Sequence, residues 1–283
     1  MKKVIFRGSG TALVTPFDEN GKINLEMTSK LIEFQIENGT KALIICGTTG
    51  ESPTLYLAER EEFIDHVVRK VNKRIPVIVG TGSPSTQHTV LLSKKAQSLG
   101  ADALLIVTPF YNKTSQKGIV DHYSCIAKNV ELPIILYNVP SRTGLNILPE
   151  TYKELSKIEN IVATKEANSD ISSVMKTKML CGNDLNIYSG NDDQTIPIMS
   201  VGGIGVISVF SNIKPYESEQ IIETQSSDLL MKYLSLMNAL FCEVSPMPIK
   251  YAMKLIGFDC GGCRLPLTEL SEASKSKIRS LVL

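Results

Sequence analysis

Eight short apolar runs, returning about every thirty residues, limit what this chain can fold into more than any other feature. They begin near Ala12 (ALVTPF), Ala42 (ALIICG), Ile75 (IPVIVG), Ala103 (ALLIVTP), Pro133 (PIILYN), Ile161 (IVATKE), Leu185 (LNIYSG) and Gly205 (GVISV). Short runs rich in Ile, Val and Leu are the mark of strands buried on both faces of a parallel sheet. The intervals read as amphipathic helices. Leu31, Ile32, Phe34 and Ile36 lie between polar positions before Gly39, and Leu57 to Asn72 carries Phe63, Ile64, Val67, Val68 and Val71 at helical spacing. Ser85 to Leu99 repeats the arrangement before Gly100, and Pro149 to Ile158 and Asp170 to Leu180 are shorter versions. A strand, a crossover helix and two loops fill about thirty residues.

This alternation predicts an α/β fold, a (β/α)8 TIM barrel, with an open doubly wound sheet as the alternative. The regular spacing and the lack of an early G-x-G-x-x-G favour the barrel. After Phe210 no comparable run follows, and Leu229 to Phe241, Pro248 to Ile256 and Leu270 to Leu283 read as added helices. No Gly/Ser linker sets them apart. The expected organisation is one domain over 1–283, with the barrel in 1–224 and a C-terminal helical appendage in 225–283.

Bulk properties exclude several function classes. Thirty Lys and Arg against 29 Asp and Glu give a formal net charge of +1. That balance supplies no field for nucleic acid or an anionic membrane surface. Arg7 interrupts the N-terminal apolar stretch, and no run approaches the ~20 residues of a membrane span. A cytoplasmic protein without nucleic-acid or membrane partners is expected. Of six cysteines, only Cys260-Gly261-Gly262-Cys263 has metal or redox spacing, and without a second pair or a nearby histidine it reads as a glycine turn. His66, His88 and His122 are far apart and read as surface or packing residues. No metal is expected.

The active site of a barrel lies at the C-terminal ends of its strands. There this chain is polar and glycine-rich: Gly47-Thr48-Thr49-Gly50-Glu51-Ser52, Thr108-Pro109-Phe110-Tyr111-Asn112, Tyr137-Asn138-Val139-Pro140-Ser141-Arg142-Thr143-Gly144, and Ser189-Gly190-Asn191-Asp192-Asp193. Lys165 ends the sixth run. Strand alternation puts Ile161, Ala163 and Lys165 on one face. An ammonium there is costly unless it is paired or loses its proton, and a neutral lysine amine condenses with carbonyl compounds. The structural alternative is an ion pair with Asp192 or Glu166. Tyr137, ending the adjacent strand, can exchange protons with such an amine, or it is simply a half-buried aromatic. Gly47 to Gly50 offers N–H groups and hydroxyls to a carboxylate, or is only a tight turn. Arg142 can grip a second carboxylate, or is a solvated loop arginine.

Together, GTTGES at 47–52, PFYNK at 109–113, YNVPSRTG at 137–144, TKEA at 164–167, SGNDD at 189–193 and GVIS at 205–208 resemble the dihydrodipicolinate synthase family. These are pyruvate-dependent class I aldolases, and the resemblance spans Gly8 to Leu267. It implies a Schiff-base lyase of lysine and diaminopimelate biosynthesis that condenses pyruvate with L-aspartate 4-semialdehyde without a cofactor. By the same resemblance, Lys165 forms the Schiff base, and Tyr137 relays protons through Thr49 to Tyr111. Thr48 and Thr49 hold the pyruvate carboxylate, Arg142 holds the carboxylate of the second substrate, and Gly190 and Ile207 line the pocket. Tyr111 would reach a neighbouring subunit's site in a homotetramer, with a dimer as the alternative. A sugar-acid aldolase such as N-acetylneuraminate lyase is the competing reading, and Arg142 argues against it. Members regulated by lysine carry His, Asn, Glu and Tyr side chains in an interface pocket. The matching positions here, Leu57 or Arg60, Pro84, His88 and Phe110, lack most of these groups, so lysine inhibition is expected to be weak or absent.

Overall fold

The computed structural model describes residues 2–283. Among them, eight parallel strands pair in chain order and close into a barrel. They are β1 (Gly8–Ala12), β2 (Ala42–Ile45), β3 (Val77–Gly80), β4 (Ala103–Val107), β5 (Ile134–Asn138), β6 (Ile161–Glu166), β7 (Asn186–Ser189) and β8 (Gly205–Ser208). The helices around and beyond them are α1 (Leu25–Glu37), α2 (Leu57–Val71), α3 (Thr86–Ser98), α4 (Gln116–Ala127), α5 (Pro140–Thr143), α6 (Pro149–Leu155), α7 (Ile171–Cys181), α8 (Thr195–Ser200), α9 (Pro215–Thr224), α10 (Ser227–Ala239), α11 (Met247–Leu255) and α12 (Glu272–Val282). The TIM-barrel expectation holds, and the doubly wound alternative does not.

Strand alternation sorts the core into two layers. Ala42, Ile44, Ile78, Ala103, Leu105, Ile135 and Ile207 fill the barrel interior. Leu43, Ile45, Val79, Leu104, Ile106 and Leu136 face outward and pack with Leu31, Ile32, Phe63, Ile64 and Val67 of the helices. Burial of both faces is why the strands read as unbroken apolar runs. Helix starts are fixed locally: the side chains of Asn24, Ser85, Ser115 and Asp170 each accept a hydrogen bond from the N–H three residues on. Beyond β8 the added helices form as expected. Leu236, Met237, Ile249, Ala252 and Met253 bring them into the same outer core.

Two expectations are corrected. The first run does not form its strand where its hydrophobicity peaks: β1 is Gly8–Ala12, and Leu13, Val14 and Phe17 lie in the loop that follows, buried in the outer core. The Phe6 ring plugs the barrel base, stacked on Tyr188 with ring centroids 4.4 Å apart. Small residues in β1 make room for it, since a Cβ at Gly10 would come within 2.7 Å of that ring. The second correction concerns β6. Ile134 pairs with Ile161, but Ile135 pairs with Ala163, so a bulge interrupts the alternation. Ile161 therefore belongs to the outer core, while Ala163 faces the interior.

Candidate active site

Past the bulge, Tyr137 of β5 and Lys165 of β6 are direct register partners. Lys165 Nζ lies 4.4 Å from the centroid of the Tyr137 ring, and the two residues are only 6% and 8% exposed. Among the described residues, Lys165 forms no ion pair, so neither carboxylate considered from the sequence neutralises it. Asp192 is turned to the backbone instead: its Oδ2 accepts from the N–H groups of Val209 at 3.1 Å and Phe210 at 3.0 Å. Burial pushes its carboxyl above the ordinary range, and the charge of Lys165 is a weaker, opposing influence. Glu166 points to the other side of the strand. What presses on Lys165 is Gly190, where a Cβ would sit 3.1 Å from Lys165 Cε and 2.7 Å from the Ala167 Cβ. Only a residue without a side chain fits beside the amine.

The loop after β2 turns sharply twice. Cys46 and Glu51 hold φ values of 52° and 54°, a left-handed conformation that is unfavourable for residues with a Cβ. Between them, Thr49 is buried and Thr48 half-buried. Among the described residues, the backbone N–H groups of Thr48 and Thr49 find no protein acceptor. Two hydroxyls and two free amides on one short loop suit a carboxylate. Ile207 is fully buried on the inner face of β8.

Other site residues are less closely gathered. Arg142 is exposed on α5, and its Nη2 makes one long contact of 3.5 Å with the Ser245 carbonyl. Tyr111 is 94% exposed at a φ of 68° and turns away from its own barrel. No hydrogen bond links Tyr137, Thr49 and Tyr111 within the chain among the described residues. Within one chain, Lys165, Tyr137 and Gly190 are in contact, Thr48, Thr49, Ile207 and Arg142 stand on the C-terminal halves or following segments of barrel strands, and Tyr111 is exposed.

Residues 5–283 match the family model described as the dihydrodipicolinate synthetase family. The chain belongs to the dihydrodipicolinate synthetase family. It is 51% identical over 286 residues to the 4-hydroxy-tetrahydrodipicolinate synthase of Caldicellulosiruptor saccharolyticus, covering 99% of this chain and 97% of the relative. Identity to the enzyme of that name from Lachnoclostridium phytofermentans is 52% over 277 residues, covering 95% and 94%. The solved structure of dihydrodipicolinate synthase from Thermotoga maritima superposes with a TM-score of 0.95 at 43% identity, covering 99% of this chain and 98% of that one.

In this dihydrodipicolinate synthetase fold, the outer side of the same strand ends holds a cluster that the sequence did not indicate: its pattern assigns Asn138 no role and offers Glu166 only as an ion-pair partner of Lys165. Asn138 and Glu166 are each one residue beyond Tyr137 and Lys165, and they too are register partners. Glu166 Oε1 accepts from Asn138 Nδ2 at 2.8 Å and from the Asn168 N–H at 3.1 Å, while Oε2 accepts from the Tyr152 hydroxyl at 2.9 Å. Thr164 donates in turn to the Tyr152 oxygen. The available signal was the alternation itself, which turns the residue after an inward one outward. In Cys260 and Cys263, burial pushes both thiols up to about 12, so neither is poised as a thiolate.

Burial pushes Glu166 from its ordinary 4.5 up to about 7, with Tyr152, Asn168 and Asn138 opposing the shift. The folded chain therefore holds this proton more tightly than the unfolded chain does. The stability tied to it is complete below 4.5 and falls as pH rises from there to about 7. Denaturant unfolding of wild type and Glu166→Gln across that window should show the wild type losing ground steadily with rising pH. A difference that stays level would mean Glu166 binds its proton equally well folded and unfolded.

Proposed function

We propose that this chain is a 4-hydroxy-tetrahydrodipicolinate synthase, condensing pyruvate with L-aspartate 4-semialdehyde through a Schiff base on Lys165. The observation that carries the reading is a buried lysine amine, without an ion-pair partner among the described residues, lying over its register-partner tyrosine. The free amides and hydroxyls of Thr48 and Thr49 hold the pyruvate carboxylate. The Lys165 amine attacks the keto carbon, and water leaves to give an iminium. Tyr137, against the amine, takes and returns the protons these steps require. The iminium draws electrons from the pyruvate methyl group, and loss of a proton gives an enamine. Its carbon then bonds to the aldehyde carbon of the second substrate. That substrate's own amine displaces Lys165, closes the ring and regenerates the enzyme.

Arg142 at the rim grips the carboxylate of the semialdehyde, and this recognition separates the synthase from a sugar-acid aldolase. Gly190 and Ile207 shape the wall beside the amine. The chain works as a homo-oligomer, a tetramer in this reading, in which Tyr111 completes the proton relay of a neighbour. Its exposure and its left-handed backbone support that role. A cytoplasmic location fits such a biosynthetic enzyme. Among the described residues, no helix is long and apolar enough to cross a membrane.

Borohydride reduction in the presence of pyruvate, followed by peptide mass spectrometry, should place the adduct on Lys165, and Lys165→Ala should abolish it. No adduct on the wild type would end the aldolase reading. Arg142→Ala should raise KM for the semialdehyde about tenfold or more, the worth of a hydrogen bond to a charged group, and leave KM for pyruvate within about threefold. Equal effects on both constants would remove Arg142 from substrate recognition. Lysine should inhibit weakly or not at all, because Leu57 or Arg60, Pro84, His88 and Phe110 lack most of the acidic and amide groups that would hold its ammonium and carboxylate. Strong inhibition by sub-millimolar lysine in an initial-rate assay would contradict this.

A further inference from the structure

Glu51 closes the loop that carries Thr48 and Thr49, and it is tied to the far end of the chain. Its Oε1 lies 2.6 Å from Lys250 Nζ of α11, with the two side chains 1% and 3% exposed. This contact is an ion pair by distance, although it is not aligned as a hydrogen bond. Glu51 Oε2 accepts from the Arg264 N–H at 2.9 Å. Lys250 also donates to the Gly262 carbonyl at 2.9 Å and lies 4.3 Å from the centroid of the Phe17 ring. Arg264 reaches the next turn of the same loop, donating to the Thr54 carbonyl at 2.7 Å. From the other side, the Thr15 hydroxyl donates to the Gly50 carbonyl at 2.7 Å.

A buried ion pair adds little net stability over apolar residues of similar size, because both charges lose their hydration. Its directional hold on one backbone conformation is a different matter. Glu51 sits at a φ of 54°, where a residue with a Cβ does not stay without support. Releasing that turn would let the preceding residues relax and scatter the free amides of Thr48 and Thr49.

We propose that the Glu51–Lys250 pair is a positioning element of the pyruvate site: beside the Arg264 contacts, this buried ion pair is the tie by which α11 holds the β2 loop in its carboxylate-binding shape. The proposal rests on Thr48 and Thr49 holding the pyruvate carboxylate. Neither Glu51 nor Lys250 touches substrate, and both act through the loop. The two residues act as one unit, so losing either partner, or both, has nearly the same functional effect.

The test compares Glu51→Gln, Lys250→Met and the double variant with wild type in the assembled, full-length protein. Glu51→Gln keeps an oxygen for the Arg264 N–H and so guards against simple misfolding. Each single variant is expected to raise KM for pyruvate about tenfold or more, with KM for the semialdehyde within about threefold. The double variant should resemble the singles rather than multiply them. At saturating pyruvate, borohydride should still trap the adduct on Lys165 in every variant. Melting temperatures that fall while KM for pyruvate stays at the wild-type value would overturn the proposal and leave the pair a purely structural tie. Equal increases in both KM values, or effects that multiply in the double variant, would overturn it as well. Adduct formation by the wild type separates the two readings: if it fails, the pyruvate reading falls, and if it succeeds while the variants bind pyruvate normally, only this proposal falls.

Discussion

The hydrogen bonds that join β8 back to β1 are the constraint on which the rest depends. Strands of four to six residues do not stand alone, and an open sheet of them would leave two rows of unpaired N–H and C=O groups. Closure removes both edges, fixes which face of every strand looks inward, and aims all eight C-terminal ends at one mouth. The pairing of Tyr137 with Lys165 is one line of that register. No loop has to be folded precisely to bring the two together, because the sheet already does so.

Much of this was legible in the sequence, and the exceptions have physical causes. Seven of the eight strands could be read because both of their faces are buried. The first could not, since its inner face is filled by Phe6 from outside the strand, leaving it composed of small and polar residues. The bulge in β6 was invisible because register belongs to a pair of strands and not to either one. In the site, Lys165, Tyr137 and the Thr48-Thr49 loop announced themselves as polar groups at the ends of apolar runs. Glu166 and Asn138 did not, although they stand in the same motifs. Their partner Tyr152 lies on a helix whose placement depends on the finished fold. The tie between Glu51 and Lys250 joins residues from opposite ends of the chain, and no local pattern signals it.

The two buried glutamates near the mouth show how negative charge is kept away from the Lys165 amine. Glu166 follows Lys165 directly, yet the alternation of β6 turns it outward to three hydrogen-bond donors. Glu51 lies in the loop beside the site and is matched by Lys250. Asp192 is occupied by two backbone amides. A carboxylate within ion-pair distance would occupy the Lys165 nitrogen, and none does so among the described residues. Glu166, Glu51 and Asp192 are each satisfied by partners of their own.

The division of β5 and β6 into an inward pair and an outward pair has a consequence for how such a protein can change over generations. Tyr137 and Lys165 face inward at the barrel mouth, while Asn138 and Glu166 fasten the strand ends to each other and, through Tyr152, to the surrounding helix. A lineage can rewrite the inward letters, or the loops above them, while the fastening behind stays untouched. New keto-acid chemistry is then reached by single steps through folded intermediates, with the anchoring half of each strand inherited intact.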